Sequence, residues 1–97
     1  MKTLITYDVS KRQDEAKRAL IDGGFSDRWD ENSVTFHLPD ATLWHPDVQN
    51  AEGGKILFHD VINRLNKEQP AGNLIEVERF MAVVFLSTSG IPGDELN

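Results

Sequence analysis

Asp8 is the residue whose position asks for a chemical explanation. It lies near the end of the run Thr3-Leu4-Ile5-Thr6-Tyr7-Asp8-Val9-Ser10, whose β-branched and aromatic composition is that of a central, two-sided strand. The pleat puts Thr3, Ile5, Tyr7 and Val9 on one face and Leu4, Thr6 and Asp8 on the other. A carboxylate on such a strand is costly unless it is paired, hydrogen-bonded or holding a cation. Two chemistries follow. A twofold axis could bring two Asp8 carboxylates together, and Mg²⁺ is commonly held by one or two carboxylates plus phosphate oxygens and waters. Such a site could activate water against a phosphodiester. Alternatively, Asp8 accepts hydrogen bonds from the start of the first helix, where the helix dipole favours an anion; sequence physics alone ranks this structural role first.

Other chemistry-bearing patterns are sparse. His37, His45 and His59 do not fall at i, i+4, and there is no H-E-x-x-H, P-loop, dinucleotide fingerprint or nucleophile elbow. Gly90-Ile91-Pro92-Gly93 reads as a turn. His59 reads as structural or solvent-facing, and Trp44 with His45 either lines a pocket or plugs a loop onto the core. With no cysteine there is no disulfide, thiolate metal site or cysteine nucleophile. That composition, and a start unlike a signal peptide, suit a reducing cytoplasm. No apolar run nears the roughly 20 residues of a membrane helix. A net charge of −6, from 10 basic and 16 acidic side chains, counts against a general nucleic-acid binder.

The elements that must position Asp8 are legible as a pattern. Ser10, with Gln13 in capping-box spacing, predicts a helix over residues 11–22 that turns Ala16, Ala19 and Leu20 inward and ends at Gly23-Gly24. Lys11, Arg12, Lys17 and Arg18 give it a basic cluster, either a solvated face or a phosphate contact. A short strand over residues 25–29 and a turn at 30–32 lead to a strand over 33–38, with Val34, Phe36 and Leu38 inward. Residues 40–46 read as either a further short strand or an ordered loop fixed by Leu43 and Trp44, and prolines at both ends favour the loop. Asn50 caps a second helix with an apolar stripe of Ile56, Leu57, Val61, Ile62 and Leu65 and Phe58 at its edge; Gly53-Gly54 would delay its regular part to about Lys55. Residues 69–73 form a loop, 74–86 the longest strand, and 87–97 a loop or frayed tail.

Strand, helix, hairpin, helix, strand is the ferredoxin-like β-α-β-β-α-β order, an α+β sandwich in which an antiparallel four-stranded sheet carries two helices on one face. The whole of residues 1–97 then forms a single domain. The run Met81 to Leu86 is apolar on both faces, more than one layer of helices can cover, which predicts a homodimer formed through the sheet.

The opening Leu4-Ile5-Thr6-Tyr7-Asp8-Val9-Ser10 resembles the first strand of the small CRISPR-associated endoribonuclease-like superfamily, which includes VapD-type and SinR-like relatives. Asn32-Ser33-Val34 with Phe36 resembles its second-strand region, and residues 38–46 look more like the SinR-like members. The resemblance implies a ferredoxin-like homodimer in which paired Asp8 carboxylates hold Mg²⁺ or Mn²⁺ and RNA or DNA is cleaved. Asp8 would then be both catalytic and metal-binding, Tyr7 its neighbour in the motif, Ser10 and Ser33 would position phosphate or water, and Arg12 would contact the substrate backbone. The chain departs from the family in being acidic and in lacking a strong arginine cluster near its second strand. The competing expectation is a non-catalytic homodimer, an adaptor or toxin–antitoxin-like partner, whose acidic surface and open sheet face are the functional parts.

Overall fold

A computed structural model describes residues 2–31, 33–67 and 69–85. The elements are β1 (Lys2–Val9), α1 (Gln13–Asp22), β2 (Arg28–Glu31), β3 (Val34–His37), β4 (Thr42–His45), α2 (Ala51–Asn66), a single 3-10 turn (Ala71–Asn73) and β5 (Val77–Phe85). The chain is a mixed α+β fold with two helices, a three-stranded antiparallel sheet ordered β4-β1-β5, and a separate β2–β3 hairpin.

β1 is the central strand, and its alternation decides where the core sits. Thr3, Ile5, Tyr7 and Val9 are buried while Thr6 and Asp8 are exposed. Onto the buried face pack Ala16 and Leu20 of α1 and Phe58, Val61 and Ile62 of α2, with Leu43 and Ile75 completing the core. Phe58 is fully buried, its ring 5.2 Å from Tyr7 and 4.7 Å from Phe80. It is therefore the centre of the α2 stripe, not its edge, and Ile56, expected inward, is 62% exposed.

Thr3 ties the start of β1 to the start of α2. Its hydroxyl lies 2.8 Å from the carbonyl of Val48 and 3.2 Å from that of Asn50. Asn50 caps α2 by accepting from the Gly53 N–H, as the sequence predicts. The helix nonetheless begins at Ala51, and Gly54 is where it passes close to β1: a Cβ there would lie 2.8 Å from Thr3 Cγ2. Gly54 reflects close approach, not a weak helix start. At the other end of α2, the Asn66 side chain pairs with the Ile75 backbone like a neighbouring strand, donating to its carbonyl and accepting from its N–H.

The first helix differs from its expected start. It begins at Gln13, and the position before it is Arg12 in the left-handed region (φ 56), with no side-chain cap. Gln13 instead donates to the Val9 carbonyl. The Ser10 hydroxyl accepts from the Glu76 N–H at 2.9 Å, while the Ser10 N–H donates to the Glu76 carbonyl, so Ser10 clasps the entry to β5.

Two further expectations are corrected. Residues 42–45, read as loop, are an edge strand of the main sheet: Pro39 and Pro46 both lie outside the paired residues, so neither removes a ladder donor. The strand over 33–38 does not enter the main sheet. Val34–His37 pairs with Arg28–Glu31, with Trp29 stacked on Phe36 at 5.5 Å. Val34 is 40% exposed and Phe36 and Leu38 only half-buried, so none of them is core. What the chain places beside β4 is Ser26, in an isolated antiparallel bridge to Trp44. The expected four-stranded sheet is thus three strands and one bridge. Residues 87–97, expected as loop or tail, lie outside the described residues.

Candidate functional site on the open sheet face

The face of β1 turned away from the helices presents Lys2, Leu4, Thr6 and Asp8. Sheet register brings neighbours alongside in rows: Leu4 lies between Trp44 and Val83, Thr6 between Thr42 and Met81, and Asp8 opposite Arg79. Met81 is 61% and Val83 44% exposed, so the middle of this face is apolar and open to solvent. Lys2 closes one end, its ammonium 4.8 Å above the Trp44 ring. Trp44 is held there by donating its indole N–H to the Arg28 carbonyl at 2.8 Å, which anchors the root of the hairpin.

At the other end, Arg79 Nε donates to Asp8 Oδ2 at 2.7 Å. Asp8 is half exposed rather than embedded, and its partner is a cross-strand guanidinium rather than the start of α1. Because both side chains face water, the pair contributes only about 0–1 kcal/mol. It borders a shallow depression of about 480 Å³ lined by Thr6, Asp8, Arg79 and Met81 together with Tyr7 and Phe80.

The other residues singled out from sequence do not converge on Asp8. Tyr7 lies on the opposite, buried face; burial, and secondarily the negative charge of Asp40, push its phenol up to about 12. Ser10 is committed to Glu76. Arg12 forks onto Glu15, whose carboxyl this hydrogen bond holds below its ordinary range, and also reaches the Asn73 carbonyl. Ser33 sits in the β2–β3 turn with φ 65, in a hairpin whose strands pair with each other and not with the main sheet. The basic cluster is divided as well: Lys11 donates to the Gly72 carbonyl, and Lys17 lies 3.9 Å from Asp27 and 3.8 Å from Asp40.

Paired Asp8 carboxylates holding Mg²⁺ or Mn²⁺ would need both copies, each carboxylate also held at Oδ2 by Arg79. Among the described residues no three His, Asp or Glu side chains gather to hold a metal ion. Among the described residues of one chain, Asp8 offers a single carboxylate, hydrogen-bonded to Arg79, where a hard cation takes several oxygen ligands. The residues that make this face distinctive, Arg79, Met81, Val83 and Leu4, were not proposed as site residues from sequence. The apolar run from Met81 was readable; the Asp8–Arg79 pairing, across 71 positions, was not.

Comparison with protein-family models, curated proteins and solved structures returns no match for this chain. Among the described residues no helix is long and apolar enough to cross a membrane.

Proposed function

We propose that this chain is a non-catalytic interaction module that works as a homodimer through the open face of its three-stranded sheet. The observation that carries this reading is the exposed apolar centre, Met81 and Val83 beside half-buried Leu4, on the one face of β1 that no helix covers. Contiguous exposed apolar surface rimmed by polar groups favours a protein partner, and a second copy is the partner always present. Sedimentation at micromolar concentration tests it: the wild type runs as a dimer and Met81→Asp as a monomer, whereas a wild type found only at 10.9 kDa overturns the reading.

The fold finer than α+β that best accounts for this arrangement is ferredoxin-like with a truncated second strand. The bridge of Ser26 to Trp44 extends the order to Ser26-β4-β1-β5, the order of a split β-α-β sheet with one bridge in place of an edge strand. This supports the resemblance to the small CRISPR-associated endoribonuclease-like superfamily without transferring its chemistry.

A second reading, metal-dependent phosphodiester cleavage by the dimer, draws on the half-exposed Asp8 at the rim of the depression. Any ligand specific to the folded protein raises its melting temperature. On this reading, Mg²⁺ or Mn²⁺ stabilises the wild type and not Asp8→Asn. Equal responses of the two proteins remove Asp8 as a metal ligand and the nuclease reading with it.

A further inference from the structure

We infer that the twofold axis of this dimer runs parallel to the strands, midway between β1 and β5, so that Asp8 and Arg79 of each copy meet Arg79 and Asp8 of the other. The inference rests on the homodimer reading and specifies its geometry. In one chain the open face is a set of rows, Asp8 beside Arg79, Thr6 beside Met81, Leu4 beside Val83. A twofold axis along the groove between these strands lays every β1 residue over the β5 residue of the same row in the partner.

The rows are self-complementary under that operation. Each long Met81 side chain falls over a short Thr6, and each Leu4 over a Val83, which lets the two faces interdigitate. The charged row closes into a ring in which each carboxylate faces a guanidinium within its chain and another across the interface. The Asp8–Arg79 pair, weak while it faces water, gains strength where the second sheet excludes solvent. Axes along a single strand fit worse. An axis along β1 sets carboxylate on carboxylate, which disfavours ionisation of both; one along β5 sets guanidinium on guanidinium. An axis perpendicular to the strands lays Lys2 over Asp8 and Phe85 over Arg79, which also attract, but it sets β1 on β1 and β5 on β5, so it predicts no cross-link between Thr6→Cys and Met81→Cys. The favoured arrangement is electrically neutral at this row and needs no cation between the two aspartates.

Charge reversal and cross-linking test it together. Asp8→Arg makes the row all cationic and Arg79→Asp makes it all anionic. Each variant alone should dimerise about tenfold or more weakly than the wild type, and an equimolar mixture should recover dimer. Stacked sheets lie about 10 Å apart, beyond direct disulfide reach, so register is read with the short bis-thiol reagent dibromobimane. The chain has no native cysteine to interfere. A mixture of Thr6→Cys and Met81→Cys should cross-link between chains, and neither variant alone should. Cross-linking of Thr6→Cys with itself would put β1 on β1 and overturn the inference, as would Met81→Cys with itself, or a wild-type dimer whose strength ignores both charge reversals. A wild type that sediments as a monomer instead removes the homodimer reading beneath it.

Discussion

The two faces of β1 show how differently one strand can be used. Toward the helices, Thr3, Ile5, Tyr7 and Val9 are each at most 5% exposed, and even the polar Thr3 hydroxyl is spent on backbone carbonyls. On the opposite face, Thr6 and Asp8 are exposed and their neighbours Met81 and Val83 offer hydrocarbon to water. Residues adjacent in sequence, Tyr7 and Asp8, thus live in media of different polarity. The closed face carries the core, and the open face carries exposed hydrocarbon.

The largest expected effect lies on the closed face. Phe58→Ala removes the ring that bridges Tyr7 and Phe80 and should cost about 3–5 kcal/mol in urea unfolding; a loss below about 1 kcal/mol would mean that the helix side is not the tight face. Next comes a pH effect on Tyr7. Its phenol is raised to about 12 from an ordinary 10.0, so the folded chain holds the proton more tightly than the unfolded one. That stability is fully present below pH 10 and is lost as pH rises through about 12, amounting to at most about 2–3 kcal/mol at about 1.4 kcal/mol per unit. Alkaline denaturation of Tyr7→Phe should lack this component; identical profiles would place Tyr7 in contact with solvent. The smallest effect belongs to the open face. Asp8→Asn should change the stability of the monomer by less than about 1 kcal/mol, and a larger loss would mean that Asp8 is part of the fold rather than of its surface.

The contrast also explains what could be read from the residues alone. Period-two alternation in β1 and helical spacing in α1 and α2 report burial directly, and these elements were legible. Apolar surface left open by the helices was legible too, from the run Met81 to Leu86, of which Met81 and Val83 are exposed. Partnership was not. Alternation over residues 33–38 says that a strand exists but not which sheet it joins, and it pairs with Arg28–Glu31. Thr42–His45 was hidden by its flanking prolines, although a short strand needs only a few free donors. Ser10 has the composition of a cap, but its hydroxyl is taken by Glu76 from the far end of the chain. The partner of Asp8 was hidden for the same reason: it is Arg79, and no local pattern announces a residue so distant.

The order β4-β1-β5 carries a consequence for how the molecule comes into being. β1 precedes both of its neighbours, and its pairing with β5 joins positions as far apart as Lys2 and Phe85. Closing so long a loop costs entropy before any contact repays it, which places such a chain among the slower folders. During synthesis, β1 would leave the ribosome with both hydrogen-bonding edges bare and its Ile5, Tyr7 and Val9 face uncovered, and would wait for most of the domain to be made. Until β5 docks, the strand at the centre of the finished sheet is the most adhesive segment of the nascent one.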